Sequence, residues 1–339
     1  MSITKTINRK ILLPIIKSSR ISELIAKYSS NNNLILNYHG VVKNFKPNLS
    51  RNHLPVSQFE EQMVYFKKRY NVVSVAEIFE SKTTKKRDQK RKNIAITFDD
   101  GYRNNFETAY PILNSLNLPA TIFVTGQSIQ KPESPLWYDL LDILSSLLQW
   151  EVLRKELKET GIEEIDPSAF SNYHQFKNFI KAGPPSTKHK ILAVLNRNKK
   201  IKDTFENCNQ EYWKLMSPAD LISISKNSLI EIGSHGLTHS NLDVQNEVDL
   251  HKEITESKKL LEECINKNVD SIAFPDGAYN QNVKDQCKRV GYKRMLAVNY
   301  RTQTDTNDPE ILPRLSISNT TTSDSIIINT NLSFSKVGF

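Results

Sequence analysis

The run Ile94-Ala-Ile-Thr-Phe-Asp-Asp-Gly101, with Tyr102–Gly126 after it, decides the fold. Residues 94–98 form an apolar block that stops at two aspartates and a glycine, the pattern of a buried strand ending in a turn. Phe106, Tyr110, Leu113 and Leu116 follow at helical spacing. Leu118–Thr125 is a second strand signal, introduced by Pro119. A strand, a helix and a strand in this order predict a βαβ unit, with parallel strands and helices packed outside them.

The same rhythm extends in both directions. Upstream, Leu34–His39 reads as a strand, and Phe59, Met63, Phe66 and Tyr70 mark a helix that Ser57 and Glu60 would open as a capping box. Val72–Val75 reads as a short strand, and Ser74 and Glu77 predict a second capping box. Downstream, the rhythm breaks after Gly126. The next strand signal comes about ninety residues later, far beyond an ordinary βα loop. Helical spacing within Tyr138–Lys158, Phe170–Ile180 and Lys188–Val194 predicts an inserted helical subdomain. The rhythm resumes at Ser217-Pro218, an N-cap followed by proline at the first helical position. Strands are expected at Leu229–Gly233, Asp270–Phe274, Arg294–Val298 and Ile311–Ile317. Helices are expected around Leu250–Ile265 and over Asn282–Gly291, the latter closed by Gly291. This divides the chain into a basic helical segment at 1–33, a barrel at 34–129 and 216–318, an insertion at 130–215 and a polar tail at 319–339.

Composition narrows the function classes. The 339 residues include 38% hydrophobic and 24% charged side chains, as in a soluble domain with an ordinary core. The net charge of +9 favours anionic partners in general, but no nucleic-acid motif is present. The densest basic run, Lys85–Lys92, sits where a loop is expected. Cys208, Cys264 and Cys287 are odd in number and widely spaced, which argues against a disulfide framework or a cysteine zinc site and fits a reducing compartment. Neither a signal peptide nor a stretch of about 20 apolar residues is evident. Residues 7–28 read either as a basic amphipathic helix on a membrane surface or as a helix docked on the domain. The expected location is the cytoplasm, at the inner membrane face if the first of these readings holds.

Two clusters carry chemistry. Asp99 and Asp100 end a strand, where barrels of alternating strands and helices place their catalytic groups. Adjacent carboxylates repel, so one calls for a cation or a proton. His235 and His239 follow the strand at Leu229–Gly233, at a separation that lets both converge on one ion from a helical turn. Two imidazoles and a carboxylate make a three-ligand site with an open position, suited to Zn²⁺, with Co²⁺ or Ni²⁺ as alternatives. Either cluster alone has a bland reading, as a turn or as solvated histidines; the combination is informative.

In this order the motifs resemble those of polysaccharide deacetylases, the NodB-like carbohydrate esterase family 4. Ile94–Gly126 is similar to the first motif, Ser234–Leu242 to the second and Ile272–Asn280 to the third, and the resemblance spans roughly residues 34–318. It implies a distorted (β/α) barrel with fewer than eight clean strands. It also implies Asp99 as general base and Asp100, His235 and His239 as metal ligands. The Phe274, Pro275 and Gly277 run would wall the substrate groove, and a backbone N–H near Tyr102 would face the oxyanion. The implied activity is hydrolysis of an N-acetyl group on an amino sugar of a surface polysaccharide or its lipid-linked precursor. Deformylation, O-deacetylation or non-catalytic glycan binding on the same site are alternatives.

Two family features are missing. The third motif lacks its arginine near Ala273; Arg314 is the replacement candidate, against a surface ion pair as the other reading. No histidine follows His251, so the family's C-terminal acid is absent, and His39 is the substitute candidate, against a buried histidine bonded to backbone. Trp137 reads as a substrate platform or as core of the insertion. His53, His174, His189 and His251 are expected on the surface.

Overall fold

The structure, a computed structural model, describes residues 31–84, 91–159, 166–197, 199–320, 329–331 and 333. The 7–28 segment, most of the Lys85–Lys92 run and most of the C-terminal tail lie outside these residues. Among the described residues, no helix is long and apolar enough to cross a membrane.

The βαβ unit read from the sequence is present. Strand β1 is Asn33–Tyr38, and β2 and β3, Gly40–Val42 and His53–Pro55, form a small separate pair. Helix α1 follows at Val56–Arg69, then β4 at Asn71–Val72 and α2 at Val75–Thr84. Strand β5 is Asn93–Phe98, α3 is Tyr110–Ser115 and β6 is Ala120–Val124. Five helices of the insertion come next: α4 Trp137–Leu147, α5 Trp150–Glu159, α6 Tyr173–Ala182, α7 Pro185–Arg197 and α8 Lys199–Glu206. The chain resumes with α9 Pro218–Ser225, β7 Ile230–Ser234, α10 Glu247–Ile265, β8 Ser271–Ala273 and α11 Gln281–Val290. It ends with β9 Arg294–Ala297, β10 Ile311–Pro313 and β11 Leu315–Ser316.

All pairings in the main sheet are parallel, in the order β10-β9-β8-β7-β6-β5-β1-β11. The last expected strand, Ile311–Ile317, is split at Arg314. Its first half, β10, pairs with β9 and its second, β11, with β1, so the two halves stand at opposite ends of the eight-strand order and nearly close it into a barrel. Strands covered on both faces carry continuous apolar runs, and β5 and β6 are buried at every position. Their side chains alternate between faces. Ile94, Ile96 and Ile122 pack outward with the surrounding helices. Ile35, Ala95, Phe123, Ala273 and Leu296 form a small inner cluster with Val75, Ile78 and Phe79 of α2. Gly233 makes room for it: a Cβ there would lie 2.4 Å from the Phe123 ring.

Several local expectations are corrected. Ser57 does not cap α1; Pro55 occupies that place with no side-chain bond, because β3 runs straight into the helix. The helix after Asp100 opens with a π-helical turn, Asn105–Ala109. Tyr138–Lys158 is two helices, broken where Leu148 becomes extended, and α8 was not foreseen. The capping boxes at Ser74/Glu77 and Ser217/Asp220 are both formed, and Gly291 ends α11 in a left-handed conformation. The insertion has its own apolar cluster, including Leu141, Leu153, Phe176, Ile191 and Phe205, and it incorporates Val42 of β2 with Leu49 and Tyr102.

Candidate metal centre and active site

Parallel strands bring all their C-terminal ends to one rim, and the chemically distinctive residues collect there. Asn37 and His39 leave β1, Asp99 and Asp100 leave β5, and Ser234 and His235 leave β7. A cavity of about 450 Å³ opens at this rim, with His39, Asp99, His235 and His239 in its lining.

Asp100, His235 and His239 are buried, and one ligand atom from each lies within 4.8 Å of the others. His235 Nε2 is 3.5 Å and His239 Nε2 3.3 Å from Asp100 Oδ1. Both Asp100 oxygens are buried without a hydrogen-bond partner. Burial, then the neighbouring Asp99 charge, pushes the Asp100 carboxyl well above the usual carboxylate range. A buried carboxylate in that condition is strongly unfavourable unless a cation compensates it. The histidines suit the same ion. His235 Nδ1 faces the Ala273 carbonyl at 2.9 Å; a carbonyl only accepts, so this nitrogen carries the proton and Nε2 keeps its lone pair. Burial pushes His239 down to about 3 and lowers His235 as well, so both imidazoles are neutral at neutral pH. The donor set fits a divalent metal.

The two histidines do not come from a helical turn, as their spacing suggested. Residues 235–239 form an irregular loop in which Gly236 and His239 have positive φ, 74° and 55°. Glu253 of α10 holds that loop, accepting the N–H groups of Leu237 and Thr238 at 2.8 and 3.1 Å. It also accepts the Thr238 hydroxyl. Glu253 was not singled out from the sequence, where it is one more acid on a helix.

Asp99 lies beside the triad, with Oδ2 3.9 Å from His235 Nε2. Arg314 grips it with two parallel bonds, Nη1 to Oδ1 at 2.7 Å and Nη2 to Oδ2 at 2.8 Å. Asn37 donates to Oδ2 at 3.0 Å and accepts from Arg314 Nη1 at 3.2 Å. Burial alone would push the Asp99 carboxyl up; the guanidinium, with His235 and His39, outweighs it and holds the carboxyl well below the usual carboxylate range. Arg314 is therefore a buried partner of Asp99 and no surface ion pair. The kink between β10 and β11 places it there.

His39 lines the same cavity, and its Nδ1 is buried with no partner. Burial pushes its imidazole down to about 4, against the pull of the Asp99 charge. Phe274 and Gly277 line the cavity, whereas Pro275 does not and packs near Gly236. The Tyr102 side chain also lies outside the lining: it is fully buried and turned toward the insertion. Trp137 is both buried and at the cavity edge. Of the four histidines expected on the surface, His53 is fully buried, between the rings of Tyr102 and Tyr212.

The polysaccharide deacetylase family model matches residues 86–165 and 180–295, more than half of the chain. The chain belongs to the polysaccharide deacetylase family. Among curated relatives of this deacetylase is the poly-beta-1,6-N-acetyl-D-glucosamine N-deacetylase of Staphylococcus aureus, strain MSSA476. It is 24% identical over 307 residues, covering 86% of this chain and 81% of the relative. Among solved structures, the Streptococcus pyogenes deacetylase PplD is similar in fold, with a TM-score of 0.56 at 17% identity, over 88% of this chain and 97% of that one. IcaB from Ammonifex degensii aligns with a TM-score of 0.52 at 13% identity, over 89% and 98%. These structures establish the barrel of the deacetylase; the roles of its residues rest on the geometry above.

Proposed function

We propose that this polysaccharide deacetylase removes the N-acetyl group from an amino sugar of a cell-surface glycan or of its lipid-linked precursor, using a divalent metal. The observation that carries the proposal is the pairing of a fixed carboxylate, Asp99, with a buried Asp-His-His triad at one strand-end cavity. The Staphylococcus aureus relatives, named as N-deacetylases of poly-beta-1,6-N-acetyl-D-glucosamine, support the substrate class.

Asp100, His235 and His239 would hold the ion, which when bound supplies Lewis-acid polarisation of the amide carbonyl and lowers the pKa of water from about 15.7 toward about 7. Asp99 takes the proton of the attacking water as the new carbon–oxygen bond forms. Arg314 and Asn37 keep that carboxylate ionised and aimed, so little reorganisation is needed during the step. The backbone N–H of Tyr102, on the same turn as Asp100, is our candidate donor to the developing oxyanion. His39 is neutral at rest. It takes a proton from solvent as negative charge builds on the reacting amide and passes it to the nitrogen as the carbon–nitrogen bond breaks, and Asp99 returns its own proton to solvent. Acetate and a free amine leave.

The test is acetate release from β-1,6-linked N-acetylglucosamine oligomers by zinc-loaded protein, with Asp99→Asn alongside. Release that Asp99→Asn abolishes is the expected result. Zinc binding without release from N-acetylated, N-formylated or O-acetylated sugars would overturn catalysis and favour a glycan-binding role.

A further inference from the structure

Trp137, Tyr138 and Asp139 open α4, the first helix of the insertion. Three consecutive helical positions fan over about 200° of the helix surface, so they do not share one face. All three are nevertheless buried, because this end of the helix is driven into the barrel rim. Trp137 and Tyr138 contact His239, and Asp139 contacts Tyr102. Trp137 Nε1 donates to the backbone carbonyl of His239 at 3.2 Å. The Tyr138 ring lies against the His239 imidazole, with centroids 4.5 Å apart. Asp139 accepts the Tyr102 hydroxyl with both oxygens at 2.9 Å. Tyr102 stands two residues beyond Asp100, and its hydroxyl is 3.1 Å from that of Tyr138.

Ordinary core packing accounts for the aromatic rings. It does not account for two phenols and a carboxylate bonded to one another, with an indole N–H on the His239 carbonyl, all beside the triad, since Phe and Leu would fill the same space without burying polar atoms. The neighbourhood also needs holding. His239 sits at φ 55°, a conformation that costs a residue with a Cβ roughly 1–3 kcal/mol and persists only where surrounding contacts enforce it. A second insertion element reaches the same loop: Lys188 of α7, itself buried, contacts the Ser240 hydroxyl at 3.3 Å and lies over the Trp137 ring.

We propose that Trp137, Tyr138 and Asp139 are positioning residues of the metal centre: they hold His239 and, through Tyr102, Asp100 at metal-binding separation, so that the helical insertion completes the site. This rests on the assignment of Asp100, His235 and His239 as the metal ligands. Outer groups that orient metal ligands typically change affinity by about 10–100-fold when removed.

The experiment is zinc titration of metal-stripped, full-chain protein by calorimetry, with melting of the metal-free form measured in parallel. Tyr138→Phe and Tyr102→Phe each remove one hydroxyl and keep the ring. Both are expected to weaken zinc binding by about 10–100-fold with little change in metal-free melting, and to shift the visible absorption of the Co²⁺-loaded protein. Asp139→Asn, which still offers an oxygen to Tyr102, is expected to retain more affinity than Asp139→Leu. Wild-type zinc binding with unchanged affinity in both phenylalanine variants would overturn the positioning role and leave the metal site standing. Affinity that falls only in step with metal-free melting would reduce these residues to packing and also overturn it. Failure of the wild type to bind zinc would remove the ligand assignment and this proposal together.

Discussion

Replacing Arg314 by methionine keeps an unbranched chain of similar length and deletes the guanidinium. In the native protein this group makes four hydrogen bonds: two to Asp99, at 2.7 and 2.8 Å, and one each to Asn37 and Thr97 at 3.2 Å. Asp99 is 3% exposed and would retain only the Asn37 amide. Removing one partner of a buried ion pair leaves the other charge uncompensated, at a cost of about 3–5 kcal/mol. For a chain of this size that corresponds to a fall of roughly 4–7 °C in melting temperature. Zinc-dependent acetate release should fall as well, because Asp99 loses its orientation. The double variant Arg314→Met with Asp99→Asn removes both charges, and should recover most of the lost stability while remaining inactive. Arg314→Lys should recover part of the stability but little activity, since one ammonium cannot reproduce the two parallel bonds. Thermal melts of the metal-free proteins and acetate assays of the zinc-loaded ones would decide. A methionine variant that melts within about 0.5 kcal/mol of wild type, or a double variant no more stable than the single one, would refute the buried-pair reasoning.

His239→Ala should abolish tight zinc binding in a calorimetric titration, as one of three ligands is lost. His39→Ala should lower the rate of acetate release by about 10²–10⁴-fold and leave zinc affinity unchanged; wild-type rates would show that another group protonates the amine. Glu253→Ala strands the N–H groups of Leu237 and Thr238, at about 1–3 kcal/mol for each, and should lower both melting temperature and zinc affinity. The Asp305 carboxylate is raised by burial but lowered further by Lys284, Tyr279 and Thr302, so its folded pKa lies below the usual range. Its stabilising contribution is therefore present above the unfolded value of about 3.9 and is lost as pH falls below it. Asp305→Asn should flatten that part of the stability-against-pH curve, measured by chemical denaturation between about pH 5 and about pH 2.

The residues with chemistry were legible because their signals are local. An apolar block stopping at Asp99-Asp100-Gly101 marks a strand end in any context, and the second cluster follows another such block. The helix ends at Ser74, Ser217 and Gly291 were also readable, because a cap depends on side-chain and backbone groups within a few residues. Ser57 shows the limit of that logic: the motif is present, but the incoming strand β3 sets where the helix begins.

The sequence by itself determined the alternation of strands and helices, the convergence of two aspartates and two histidines at strand ends, and the presence of a large helical interruption. Only the tertiary structure decided what surrounds those four side chains. The kink that carries Arg314 to Asp99 exists because β10 and β11 pair with strands from opposite ends of the chain. Glu253 grips the His235–His239 loop from a helix beyond it. The first turn of α4 reaches the same loop from more than ninety residues upstream. His53, indistinguishable in the sequence from a surface histidine, is buried between two tyrosines. Periodicity reports which face of an element is buried and says nothing of its partner; burial, compensation of charge and ligand orientation are properties of the partner.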